Sequence, residues 1–143
     1  MRNKKLTIIF LIFLCLIFAS CTSKEEKAKL EFENSYKAEA VRADFVEIAS
    51  NNWDGKKVFA IGEVNNLDFS STAWTEFLFS VKEGENAYGI YMVRVLNDVW
   101  VKQKTLDSLY NGCIIKVYGS VEEDYLELYG LPTLSVVIIE FVN

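Results

Sequence analysis

Gly55–Val64 reads GKKVFAIGEV, and Gly112–Val121 reads GCIIKVYGSV. Each opens on Gly, becomes densely apolar from its fourth position, carries a second Gly at the eighth and ends on Val. This is the pattern of a buried strand leaving a turn, with an internal glycine where the strand must bend or bulge. A long helical pattern precedes the first segment and a short connector precedes the second. The two therefore read as separate strands of one sheet that bend at the same relative place, and not as a duplicated unit.

The chain has 143 residues, is 51% hydrophobic and 14% aromatic, and so is long and apolar enough for one compact core. Its first twenty residues hold Arg2, Lys4 and Lys5 and no acid. The remainder has 12 basic against 20 acidic side chains, a net −8. Such a surface repels phosphate backbones. No histidine is present, which removes imidazole acid–base catalysis, Ser-His and Cys-His nucleophile pairs and imidazole metal ligands.

Met1–Lys5 is a basic start, and Leu6–Phe18 is an apolar run of thirteen residues. Secretory apolar regions span about 7–15 residues, whereas a membrane-crossing helix needs about 20. Residues 1–20 therefore read as a signal peptide. Phe18-Ala19-Ser20-Cys21 resembles the lipobox of bacterial lipoproteins, with Phe18 where that family usually has Leu. The resemblance implies that Cys21 is acylated and becomes the first residue of a chain anchored in the cell-envelope membrane. Thr22 supplies no retention Asp, which by analogy to Gram-negative sorting favours the outer membrane over the inner where an envelope has both. Cys15 leaves with the signal, so Cys113 is the single remaining thiol. It sits in an apolar run and reads as a core residue.

Residues 21–37 form a lipidated, charged tether and 38–143 the domain. Glu25/Lys29 and Glu33/Lys37 favour helix by their spacing. Ala38, Val41, Phe45, Ile48 and Ala49 recur at helical intervals, so one amphipathic helix is expected over about 26–50. Lys57–Val64 is apolar on both faces and reads as a central strand. Asn65–Thr75 reads as a loop, Glu76–Val81 and Tyr88–Val95 as a hairpin, Leu96–Lys104 as ambiguous, and Thr105–Tyr110 as a short helix capped by Thr105. Ile114–Val121 and Leu134–Val142 complete five strands.

The fold class is mainly β. Five short strands, a helix between the third and fourth, and mid-strand glycines in the first and fourth resemble the OB-fold, a five-stranded Greek-key barrel preceded here by an amphipathic helix. WDGKKVFAIGEV and LYNGCIIKVYGSV resemble in particular the bacterial family named for its likeness to tRNA-anticodon-binding domains, over residues 38–143. The competing architecture is an α+β domain with the helix on a curled antiparallel sheet. In a flat sheet Gly62 and Gly119 would only weaken their strands, which favours the barrel.

The OB resemblance implies a ligand face flanked by 65–75 and 122–132. Those loops offer Asn65, Asn66, Trp74, Tyr125 and Tyr129 as ligand-binding candidates, aromatics beside amides that suit a base, sugar or peptide. Glu122, Glu123, Asp124 and Glu127 lack the spacing of a dedicated calcium loop and read as a solvated run. They also oppose nucleic acid, as does the excess of 13 acids over seven bases from Asn51 onward. Arg42 and Arg94 are the only arginines after the signal, and no residue spacing suggests a nucleophile. The chain is thus expected to be non-catalytic, with no cofactor or metal, and to bind a protein or small ligand. An oligonucleotide-binding domain and an envelope enzyme are the alternatives.

Overall fold

The computed structural model describes residues 24–50, 53–97, 100–122 and 130–142. The chain divides into two compact units, Met1–Ser35 and Tyr36–Asn143. Helix α1 covers 24–39. In the first unit its side chains are mostly exposed, and Lys27 and Glu31 meet at 4.0 Å one turn apart. No described helix is long and apolar enough to cross a membrane.

The expected single helix over 26–50 is interrupted. After residue 39 the chain extends into strand β1 (Val41–Arg42), which pairs in parallel with Val58 and Phe59. Ala43 donates its backbone N–H to the Phe59 carbonyl at 2.8 Å. Asp44, extended at φ −120°, then accepts from Glu47 N–H at 3.0 Å and starts helix α2 (Phe45–Ala49). Aspartate inside a helix competes with the backbone for hydrogen bonds, but at the N-cap its carboxylate satisfies a free amide. The expected apolar stripe does not survive the break: Ala38 and Val41 are exposed, and Ala43, outside that stripe, is buried together with Ile48.

Five strands close a barrel in the second unit: β2 (Lys57–Asp68), β3 (Trp74–Lys82), β4 (Tyr88–Leu96), β5 (Ile114–Val121) and β6 (Thr133–Phe141). Around the barrel the order is β2, β3, β4, β6, β5 and back to β2. The β4–β6 contact is parallel, and the other pairings among the five are antiparallel. Side chains alternate inward and outward as a closed sheet requires. Tyr91, Phe77, Phe79, Ile115, Leu134, Val58, Val64, Val93, Val95 and Val117 fill the interior. Phe77 and Phe79 meet nearly edge to face at 6.1 Å. At one end Phe45 of α2 packs on Gly89 and sits edge-on to Tyr91 at 5.4 Å.

The short helix α3 (Gln103–Leu106) brings Leu106, and the turn after it Leu109, into the core. Its N-cap is Lys102, three residues before the expected cap Thr105. Thr105 instead donates its N–H to the Lys102 carbonyl at 2.8 Å, because the buried leucines decide which turn is helical. The loop expected over Asn65–Thr75 also shrinks. Strand β2 continues to Asp68 through a bulge between Asn65 and Asp68, where Asn66 takes φ +50°, and β3 already begins at Trp74. Asn tolerates that left-handed conformation better than other side-chain-bearing residues.

The two glycine-framed segments are neighbours in space. Strands β2 and β5 pair antiparallel so that Val58 lies opposite Gly119 and Gly62 opposite Ile115. The pairing has local two-fold character. Gly55 donates to the Val121 carbonyl at 3.0 Å, and Gly112 donates to the Val64 carbonyl at 2.7 Å. Val121 donates to Lys56 and Val64 to Cys113, again in matching positions. Gly55 and Gly112 both have positive φ, +68° and +93°.

The inner glycines are needed for a different reason. A Cβ at Gly62 would lie 2.4 Å from the Ser80 carbonyl oxygen of β3, and one at Gly119 would lie 2.3 Å from that of Ser135 of β6. Both neighbours are backbone and cannot swing aside. Gly119→Ala is expected to destabilise the fold by about 1–3 kcal/mol. Gly84→Ala, whose nearest neighbour would be the Ala87 side chain at 3.8 Å, should change it little. Urea unfolding followed by circular dichroism compares the two.

Candidate binding face

The outer side of β3 and β4 carries the most varied chemistry. Period-two alternation sets Trp74, Glu76, Leu78 and Ser80 of β3 beside Leu96, Arg94, Met92 and Ile90 of β4, in that pairing order. The middle of this face is half-buried and aliphatic. Trp74 and Leu96 are exposed at one end, 37% and 45%.

Arg94 organises the face. Its Nε donates to Glu76 Oε1 at 2.7 Å, its Nη2 lies 2.6 Å from the same oxygen, and its Nη1 lies 3.8 Å from Glu122 Oε2 just beyond β5. The guanidinium also stands 5.1 Å from the Trp74 ring centre. Its side chain is only 15% exposed, so the charge is largely withdrawn from solvent. A cation held between two carboxylates and an indole offers little attraction to a phosphate. Among the described residues no group of three acidic or cysteine side chains is arranged to hold a metal.

The sequence candidates separate. Trp74 lies on this face, at the start of β3 and not in a loop. Asn65 is half-buried on the adjoining strand, opposite Leu78, with Nδ2 donating to Ser80 Oγ at 3.2 Å and to the Glu63 carbonyl at 3.3 Å. Its amide thereby ties β2 to β3. Asn66 is exposed at the bulge, where its conformation explains it. Tyr125 and Tyr129 lie outside the described residues, as do Glu123, Asp124 and Glu127. Arg94, Glu76, Leu78, Met92 and Leu96 were not among the binding candidates the sequence offered. The signal was the alternation itself, which places an acid and an arginine at facing positions of a hairpin.

Phe69, just beyond β2, is 50% exposed. Cys113 is buried, 3% exposed, immediately before β5. A second feature is a cleft of about 260 Å³ between the start of α2 and the β3–β4 turn, lined by Asp44, Phe45, Val46, Glu83, Ala87, Tyr88 and Gly89. At its edge the Tyr91 hydroxyl donates to Glu83 Oε1 at 3.1 Å. Burial, then the Glu83 and Asp44 carboxylates, push the Tyr91 phenol well above its usual range.

No family model and no curated protein matches the sequence. Solved structures do match. The OBody AM3L15, in complex with hen egg-white lysozyme, superposes with a TM-score of 0.54 at 16% identity, over 73% of this chain and 92% of its own. Asparaginyl-tRNA synthetase from Pyrococcus horikoshii, complexed with asparaginyl-adenylate, gives 0.54 at 19% identity, over 72% of this chain and 22% of the synthetase. The domain is an OB-fold. Identities this low show the fold alone, and the α+β alternative is set aside by barrel closure between β2 and β5.

The raised phenol of Tyr91 makes the OB barrel sensitive to alkali. An unfolded tyrosine releases its proton near pH 10, while the folded one retains it. Stability from this group is therefore complete below about pH 10. Above it, stability falls by about 1.4 kcal/mol per pH unit as the unfolded state binds fewer protons. Tyr91→Phe is expected to flatten that alkaline decline in urea midpoints measured from pH 8 to 11. At neutral pH it should cost about 1 kcal/mol for the lost hydrogen bond.

Proposed function

We propose that this protein is a non-catalytic binding module for a protein or small ligand, held at a bacterial cell envelope by acylation of Cys21. The observation that carries the binding half is the β3–β4 face: an aliphatic middle, an exposed Trp74–Leu96 end and an arginine neutralised by Glu76 and Glu122. Such a face favours partners that supply apolar surface and hydrogen bonds, with a tryptophan as anchor. It disfavours a phosphate chain, whose affinity comes mainly from unpaired cations. The OBody relative, bound to lysozyme, supports the view that this fold can present such a surface to a protein.

Oligonucleotide binding is the second reading, favoured by the indole beside Arg94, since aromatic rings with arginine serve as base platforms. The anchoring half rests on the basic start, the thirteen-residue apolar run and the small residues before Cys21. Thr22 after the lipidated Cys favours the outer membrane where two membranes exist.

A photo-crosslinking residue in place of Leu78, introduced in the native envelope, is expected to capture a protein partner. Trp74→Ala should weaken that capture by about tenfold or more, the effect of losing an aromatic anchor. Titration with labelled single-stranded oligonucleotides separates the readings: tight binding that weakens steeply with salt would favour the second and overturn the first. Mass spectrometry of the membrane fraction should find an acylated Cys21 N-terminus, and Cys21→Ser should release the protein from membranes.

A further inference from the structure

The cleft between the start of α2 and the β3–β4 turn serves neither barrel closure nor the β3–β4 face. Its volume of about 260 Å³ has room for one small molecule or one side chain. Backbone hydrogen bonds fix both walls. Ile48 donates its N–H to the Asp44 carbonyl at 3.0 Å, and the Glu83 and Gly84 amides both reach the Ala87 carbonyl, at 3.0 and 3.3 Å. Phe45 and Gly89 meet in the cleft because Gly89 has no side chain: a Cβ there would lie 2.7 Å from that of Phe45. Val46 and Tyr88, which also line it, are 74% and 63% exposed, so the barrel core does not account for their apolar carbon.

The charged lining consists of two carboxylates. Asp44 uses Oδ1 to accept from the Glu47 N–H at 3.0 Å, and Glu83 uses Oε1 to accept from the Tyr91 hydroxyl at 3.1 Å. Among the described residues no hydrogen bond reaches the second oxygen of either group. The lining holds no base. Arg42 turns its guanidinium to the Lys82 carbonyl at 3.5 Å, and neither Arg42 nor Lys82 lines the cleft. An anion entering here meets like charge, and a neutral apolar group covers two carboxylates without pairing them. A cation on an apolar body satisfies both halves of the lining, since it pairs with a carboxylate and lays its body on ring and aliphatic carbon.

We propose that this cleft is a binding site for a small organic cation, an ammonium, amidinium or guanidinium group on an apolar body. The second oxygens of Asp44 and Glu83 take the charge, and Phe45, Val46 and Tyr88 take the body. Walls already held by backbone need little ordering when the ligand enters, which favours binding. The site is separate from the Trp74–Leu96 end of the β3–β4 face and does not depend on how the chain is anchored.

Titration of the isotope-labelled full chain in detergent with benzamidine, followed by amide NMR shifts, tests the site. Val46, Ala87, Tyr88 and Gly89 should shift together with a Kd of about 1 mM or tighter, while Trp74 and Leu96 stay still. Benzamide, the same ring bearing an uncharged amide, should bind about tenfold more weakly. Asp44→Asn keeps a capping oxygen and Glu83→Gln keeps an acceptor for Tyr91, so each removes charge while the local contact is retained. Each should weaken benzamidine about threefold or more. No shifts at the four amides, benzamide binding as tightly as benzamidine, or both variants binding benzamidine like the native chain overturns the proposal. A free amine and a side chain of a partner protein present the same chemistry, and an acetylated, amidated Leu-Arg-Leu tripeptide separates them. Tighter binding of the tripeptide than of benzamidine assigns the cation to a partner protein, and weaker binding assigns it to a small molecule.

Discussion

The β2–β5 ladder is the contact on which the rest of this structure depends. It closes the barrel, and it does so by a self-complementary register in which the aliphatic of one strand faces the glycine of the other: Val58 opposite Gly119, Gly62 opposite Ile115. Each glycine lets a further strand pass close by, β3 against Gly62 and β6 against Gly119, at distances that no side chain would permit. Closure thus requires missing side chains at two inward positions, and the facing aliphatics fill the interior beside them. A sheet with ordinary residues there would have to stay more open, exposing the Phe77, Phe79 and Tyr91 rings it now buries.

From that closure follow two outer surfaces of different character. Across β3 and β4 the side chains are aliphatic with a partly exposed tryptophan and a neutralised arginine. Around β5 the aromatic side chains are covered by the protein's own helix turn and bordered by lysines in ion pairs and ring contacts. One barrel therefore carries its own helix turn on one side and a different, partly exposed apolar surface on the other. The physical division is between aromatic surface that is buried by the protein itself and apolar surface that is not.

Much of this was legible along the chain. Alternation of apolar and polar residues identified the hairpin, whose strands run Trp74–Lys82 and Tyr88–Leu96; the glycines at 62 and 119 mark close strand approaches, with a register irregularity only at Tyr118/Gly119. The helix reading went astray at 40–44 because apolar spacing is blind to backbone hydrogen bonds. Val41 of the expected stripe is exposed, Ala43 is buried from an extended segment whose amide bonds to Phe59, and Asp44 favours restarting a helix over continuing one. The loop after Val64 was drawn too long for a similar reason: Asn65, Asn66 and Asp68 have turn chemistry, but a bulge absorbs it within the strand. Of the candidate site, Trp74 was visible as an aromatic beside polar residues, while Arg94 looked like one scattered base among several.

What the sequence determined by itself is the set of local choices: which segments are strands, which positions need glycine, where the charge lies and that imidazole chemistry is absent. These depend on each residue and its near neighbours. What only the tertiary structure decided is partnership. The two glycine-framed segments looked alike because they are the two sides of one ladder, and Arg94 acquired Glu76 and Glu122 only when β4 lay between β3 and β6, beside whose start Glu122 is held. Side-chain alternation states which face a residue occupies, but the strand that will lie beside it is set by closing the whole barrel around a common core.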